Sequence, residues 1–314
     1  MQKMVFQNPR KIRWMLLITS LWSLGHANPS NPTAIQGTIT FEKNDSKTCV
    51  ITLSDNAFID WDQFSVSEGE FTEVHQPSSK SVAVFGVRTN SPSTFLGTLR
   101  SNGYIFLVNP NGVLIGESGE IDASGFLASS LPACPCPLID GEHDVYIQGD
   151  SKVPMINKGR IKARESDVYL IGHQVRNHGS IDAPKGTVAL AAGRDVILNQ
   201  SNGQKIGVFA SPIKEKNEEI GLDNSGTITA VRAELKADGN SFGYAIFHSG
   251  SIHVIGTSKQ KGEVNLVSEK GSSIISGEII AENQDGTDGE IQILGNQILN
   301  LNFGFLSSEP ANSK

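Results

Sequence analysis

Apolar and polar residues alternate in short runs along most of this chain, as in IKA, VYLIG, SIDA, TVALAAG, GEVNLV and GEIQIL. A period of two puts alternate side chains on opposite faces of a strand, and no stretch sustains a helical period. A unit also recurs: glycine, any residue, isoleucine, any residue, a small apolar residue. Its copies are Gly119-Ile121-Ala123, Gly159-Ile161-Ala163, Gly179-Ile181-Ala183, Gly226-Ile228-Ala230, Gly250-Ile252-Val254 and Gly277-Ile279-Ala281, with Gly37-Ile39-Phe41 a looser one. The steps between the six are 40, 20, 47, 24 and 27 residues, which read as one or two units of a period slightly above 20. A second strand is expected seven residues on, at Val168 after Ile161, Val188 after Ile181 and Leu235 after Ile228. In the last two copies the gap is twelve, to Val264 and Ile291. The added residues fall in the polar runs SKQKG and QDGTDG, where a solenoid tolerates insertion. No strands are joined by the two-residue loop of a tight hairpin.

The pattern predicts an all-β chain wound as a right-handed parallel β-helix, with rungs about 4.8 Å apart and Ile, Val, Leu and Ala inside. Asn157, Asn177 and Asn224 each precede a repeat glycine by two residues, as in a stacked corner ladder or as ordinary turn residues. The most tightly specified turn is Asn109-Pro110-Asn111-Gly112, between the apolar runs of Tyr104 to Gly116. Proline suits a first turn corner, and asparagine before glycine suits a corner needing φ > 0. Residues 28–62 carry more charge, include Trp61 and lack clean rung spacing after Gly37. They are expected to cap the N-terminal end, because an open rung exposes core and unpaired strand edges. Residues 307–314 are expected to be a disordered tail.

Composition adds the ends of the picture. Residues 1–27 have the order of an export signal: a basic start with Lys3, Arg10, Lys11 and Arg13, an apolar run from Trp14 to Leu24, and Gly25-His26-Ala27 before a cleavage point. The apolar run is too short to span a membrane. Removing it leaves 287 of 314 residues, and the net charge of −7 becomes −11 once those four basic residues are gone. Such a surface argues against nucleic acid and anionic membranes as partners. The three cysteines, Cys49, Cys134 and Cys136, make no disulfide framework. A bridge from Cys49 to one of the pair is open in an exported protein.

Several segments together resemble the two-partner-secretion domain of filamentous-haemagglutinin-like and haemolysin-like exoproteins, from about Ala34 to Leu299. The resemblance begins at Trp61, Phe64 and Gln76-Pro77-Ser78, then runs through Phe95-Leu96-Gly97-Thr98-Leu99 and Ser101-Asn102-Gly103. It culminates in Phe106 to Val113 and Gly125-Phe126-Leu127-Ala128-Ser129. It implies a secretion module, a β-helix of residues 28–306, that leaves the cell by the general export machinery. It implies recognition by the periplasmic POTRA domains of an outer-membrane β-barrel transporter, and delivery to the cell surface or medium as a haemagglutinin- or adhesin-like protein. Asn109, Pro110, Asn111 and Gly112 then occupy the family's secretion-motif region, as partner contact or as fold chemistry. Two features depart from the family pattern. An Asn-Arg-Val run is replaced by Phe85-Gly86-Val87-Arg88, and no second Asn-Pro-Asn motif follows. Family exoproteins usually continue into a stalk or effector region. A stand-alone member, a truncated frame and an exoprotein reduced to its secretion module all stay open for a sequence running to Lys314.

Two rival classes fit a β-helix. A polysaccharide-degrading β-helix enzyme would need two facing carboxylates. Arg160-Ile161-Lys162 and Asp60/Asp62 offer only fragments of such a site, and alternation points the charges of the former to solvent. No catalytic residues, cofactor or metal site are therefore expected. His75, His143, His173, His178, His248 and His253 lack zinc-site spacing and are expected on outward positions. Asp285 to Gly289 is similar to a calcium turn but is a single copy. A stand-alone surface adhesin with a host or cell-surface ligand is the alternative function, and exposed aromatic clusters would favour it.

Overall fold

The computed structural model describes residues 29–43, 45, 47–133, 144–199, 204–209, 217–300 and 306–307. The expected signal segment 1–27, Cys134, Cys136, His143 and residues 308–314 lie outside them. Among the described residues there is no helix, and 25 strands join one sheet that coils into a parallel β-helix.

The coil has three faces. On the first, successive strands align Leu99, Ile121, Ile161, Ile181, Ile228, Ile252 and Ile279 in one inward column. None is more than 1% exposed. On the second, Ile59, Phe85, Leu107, Ala128, Leu170, Leu190, Leu235 and Leu266 form the matching column. Burying each leucine or isoleucine is worth about 1.5–3 kcal/mol, so long columns dominate the folding energy. The repeat glycines mark a stacked corner. A Cβ on Gly159, Gly179, Gly226 or Gly250 would collide with the carbonyl oxygen of the glycine one rung below, so only glycine fits.

The third face holds a column of mixed character: Phe95, Ile115, Asn157, Asn177, Asn224, His248 and Ile275. The three asparagines form a true ladder. Asn157 Nδ2 donates to Asn177 Oδ1 at 2.8 Å, and Asn177 Nδ2 donates to Asn224 Oδ1 at 2.7 Å. All are fully buried, and the polar stretch from Asn157 to His248 is flanked in the column by Ile115 and Ile275. Each ladder carbonyl also accepts two backbone N–H groups from the next corner, as Asn177 O does from Ser225 and Gly226.

The spacing is corrected in three respects. Ile121 and Ile161 are neighbours in register despite 40 intervening steps, as are Ile181 and Ile228 across 47. Each step is thus one rung, not two. The excess chain leaves the coil, and part of it pairs as a separate antiparallel sheet: Val145–Gln148, Asp195–Leu198 and Ile206–Val208. Second, Val188 and Val264 pair with Ala233, while Leu235 stacks on Leu190. A register shift after Ala183 shortens that corner by two residues, which preserves the inward parity. Third, Ser180–Ala192 and Thr227–Ala237 are single long strands that bend from the first face to the second, not pairs of short ones.

The outlying sheet covers an apolar outer patch of the coil. Val145, Ile147, Val196, Leu198 and Ile206 pack with Leu127, Ile171, Ala189 and Ala191 in a second buried cluster. Polar latches add to it. Glu234, fully buried, accepts the backbone N–H of Lys205 at 2.9 Å and of Ile206 at 3.2 Å. Lys236 lies 3.4 Å from Glu234 and donates to Gln204 at 2.7 Å and to the Ile206 carbonyl.

Within residues 28–62, expected as the cap, only Thr33–Gln36 and Ile39–Lys43 are antiparallel additions. They cover Ala57–Trp61 and Thr48–Leu53, which already pair in parallel with the next rung. Beneath them Trp61, Phe64, Phe85 and Phe95 fill the end of the core, with ring centroids 4.6–6.0 Å apart between successive contacts.

Candidate functional site

Asn109 to Gly112 turns the chain from the second face to the third, between the strands Tyr104–Val108 and Val113–Ile115. The Gly112 N–H donates to the Asn109 carbonyl at 2.9 Å and closes a β-turn. Positive φ falls on Gly112, at +101°, and not on Asn111. Gly112 is also crowded, since a Cβ there would meet Val153 Cγ1.

Asn109 is fully buried. Its Nδ2 donates to the Ser91 carbonyl and to Ser93 Oγ, both at 3.0 Å. Its Oδ1 accepts the Asn111 backbone N–H at 3.0 Å and Asn111 Nδ2 at 3.1 Å. An asparagine amide has two donors and two acceptor sites, so this one is saturated. Asn111 Nδ2 donates its other hydrogen to the Thr89 carbonyl at 2.9 Å. The Asn109 N–H donates to Ser129 O one rung up, and the Pro110 carbonyl accepts from Ser151 Oγ at 2.6 Å. The turn is clamped from below by Thr89, Ser91 and Ser93, and from above by Ser129 and Ser151. Ser129 lies in a segment that carries the resemblance, but Thr89, Ser91, Ser93 and Ser151 are distant along the chain or outside any motif, so the turn's own sequence did not reveal them.

The neighbouring elements of the resemblance gain roles. Gln76 and Asn102 make a reciprocal pair across a corner. Gln76 N donates to Asn102 Oδ1 and Asn102 Nδ2 to Gln76 O, both at 2.7 Å. Arg88 ties the cap to the rung beneath by donating to Thr33 Oγ1, the Asn31 carbonyl and Asp62 Oδ1 at 2.7, 3.0 and 2.8 Å. Asn31 also donates to Asp62 Oδ2 at 2.8 Å. That hydrogen bond first, and Arg88 second, lower the Asp62 pKa.

Residues weighed for other chemistry are held in structural pairs. Arg160 reaches Glu120 at 3.0 Å while Ile161 points inward. Asp285 Oδ1 is occupied by Thr287, through its N–H at 3.0 Å and its hydroxyl at 2.6 Å. Two histidines contradict the expectation of outward positions. His173 packs against Phe242 with centroids 5.2 Å apart and is only 9% exposed, and His248 is fully buried in the third-face column. Burial lowers the pKa of both. His178 and His253 do lie outward, bridging to Asp223 at 3.0 Å and Glu282 at 2.9 Å. Among the described residues no group of three or more His, Cys, Asp or Glu gathers to hold a metal. No helix there is long and apolar enough to cross a membrane.

A family model described as the TPS secretion domain matches residues 26–280. The chain belongs to this family. TPS denotes two-partner secretion, and the domain is the secretion module of exoproteins that reach the cell surface or medium. This TPS domain is 29% identical over 197 residues to a heme/hemopexin-binding protein of Haemophilus influenzae strain Rd, covering 58% of this chain and 21% of that protein. A second Haemophilus influenzae protein of the same name is 31% identical over 121 residues, covering 37% and 13%. The chain thus spans about a fifth or less of the length of these curated relatives. The crystal structure of the HMW1 secretion domain from Haemophilus influenzae aligns with a TM-score of 0.66 at 25% identity, covering 86% of this chain and 71% of that one. A filamentous haemagglutinin secretion domain shares the fold, with a TM-score of 0.50 at 13% identity and coverage of 87% and 96%.

Proposed function

We propose that this TPS domain is read by its transporter before it folds. In this reading residues 1–27 direct export, and the unfolded chain meets the periplasmic POTRA domains of an outer-membrane β-barrel. Asn109 to Gly112 form part of the recognised segment, and the β-helix then forms outside the cell. The observation that carries the reading is the saturated Asn109 amide. In the folded domain it has no hydrogen-bonding capacity left for a partner, whereas in an extended chain all four sites are free. The module acts by folding and binding, without catalysis. The test is binding of the transporter's periplasmic domains to the chain diluted from urea and to the prefolded chain. Capture of the unfolded form, weakened by Asn109→Ala, is expected. Equal capture of the prefolded chain would overturn the order of events.

A surface-ligand role has support from a separate observation. Tyr146 is 58% and Phe209 49% exposed, on or beside the outlying sheet. Aromatic side chains held in this way suit contact with a host or cell-surface ligand. The heme and hemopexin named for the relatives make candidate ligands for the exoprotein that this module serves. Loss of cell binding in Tyr146→Ala/Phe209→Ala, with secretion intact, is expected under this reading.

A further inference from the structure

The asparagine ladder has a direction. The Gly159 N–H donates to Asn157 Oδ1 at 3.1 Å, which fixes that amide's oxygen. Every ladder Nδ2 therefore points towards the C-terminal rungs. The last one, on Asn224, lies 3.0 Å from His248 Nδ1. The next residue in the column is Ile275, which offers no side-chain hydrogen bond. His248 Nε2 lies 3.2 Å from the Glu278 carbonyl, so Nε2 carries the hydrogen and Nδ1 accepts.

We propose that His248 is an acid-sensitive latch: a proton on Nδ1 removes the acceptor that ends the ladder and loosens the rungs from Phe242 onward. A proton there would find only one crowded acceptor. The Asn224 carbonyl lies 3.1 Å from Nδ1, but it already accepts the Ser249 and Gly250 N–H groups. Charged groups on the packed elements do not compensate. Asp223 engages His178, Glu219 engages Gln174, Glu263 engages Arg232, and the Glu278 carboxylate reaches Ser251 at the surface. Glu269 and Lys270 are exposed, and His253 pairs with Glu282 on the outward side. No carboxylate among the described residues is bonded to the His248 ring. Burial acts in the same direction by lowering the His248 pKa.

The sign follows from linkage. In the unfolded chain the imidazole titrates near its ordinary value of about 6.5, and in the fold it titrates lower. Between those values the unfolded state binds more protons, so stability falls as pH falls through the window. His173 shifts in the same direction and needs a control.

The experiment is amide hydrogen exchange, corrected for intrinsic rates, on the folded chain at pH 7.5 and pH 5.0. In acid, opening at Ser249, Gly250, Ser276 and Gly277 should rise several-fold relative to His178 and Gly179. His248→Asn supplies an oxygen acceptor in the ladder's own chemistry and should abolish the local rise. His173→Asn should leave it intact. A uniform response along the coil, or an unchanged rise in His248→Asn, would overturn the proposal. If His248→Asn fails to fold, the local pattern in the unmodified chain still decides.

Discussion

Asn109 Oδ1 accepts both the backbone N–H and the side-chain amide of Asn111, at 3.0 and 3.1 Å. The two asparagines of the turn are therefore unequal. Asn109 organises the corner, and Asn111 fills its two acceptor sites. Asn109→Ala strands a buried hydroxyl, a carbonyl and an N–H, at about 1–3 kcal/mol for each group that stays unsatisfied. Asn111→Ala removes only donors from a half-buried side chain and should cost about 1 kcal/mol. Asn109→Asp keeps the acceptor but loses both donors, so it should behave more like alanine than asparagine. Urea denaturation of the three variants gives the order, and equal losses would show that the corner is not built around Asn109.

The glycine column predicts a sharp positional contrast. Alanine at Gly226 would push a methyl into the Gly179 carbonyl in the rung below, and backbone cannot rotate away. A loss of about 3 kcal/mol or more is expected, in the range of severe overpacking. Gly69 has φ of +74° but nothing within 4 Å of a Cβ. Gly69→Ala should therefore cost only about 1 kcal/mol of backbone strain. Thermal melts of the pair would test whether close approach, more than φ, selects the repeat glycine.

Glu234 sits outward on its strand and yet is fully buried, because the outlying sheet lies over it. Glu234→Ala would leave two backbone N–H groups without their acceptor and the Lys236 ammonium without its paired carboxylate. Breaking a buried pair in this way costs about 3–5 kcal/mol. That cost should fall on the sheet, since the inward columns do not touch the glutamate. Limited proteolysis should cut near Ile206–Val208 while the coil stays protected. Simultaneous loss of both would mean that the sheet is integral to the coil.

The alternation of IKA, SIDA and VYLIG made the parallel coil legible, because inward parity is a local property. Asn157, Asn177 and Asn224 were visible as a candidate ladder for the same reason. The rung count was not legible, because a 40-residue step can hold two rungs or one rung and an excursion. The in-register pairing of Ile121 with Ile161 and of Ile181 with Ile228 decides between them, and those contacts are long-range. His248 was missed because its ladder position carries a different residue type. The motif Asn109 to Gly112 announced a turn, while its clamps at Thr89, Ser91, Ser129 and Ser151 became visible only in the stacked rungs.

The cap should yield in acid at a lower pH than the rungs held by His248. Asp62 joins Asn31 and Arg88, and the Asn31 hydrogen bond first, then Arg88, hold its carboxyl below the ordinary value of 3.8. A native pKa below the unfolded one means that the unfolded state takes up the proton first. The contribution of Asp62 is therefore complete above pH 3.8 and is lost as pH falls through the lowered native value. Trp61 reports on this event, because Trp14 and Trp22 fall within residues 1–27 and a chain prepared without those residues keeps Trp61 as its sole tryptophan. Its fluorescence should change in acid before the far-UV β signal does. Asn31 has φ of 50°, so Asn31→Gly removes the amide while keeping the backbone accessible. That variant should raise the pH of the fluorescence midpoint more than a change confined to the Arg88–Asp62 bridge, such as Arg88→Lys. An unmoved midpoint in Asn31→Gly would mean that the cap's acid response lies in other groups.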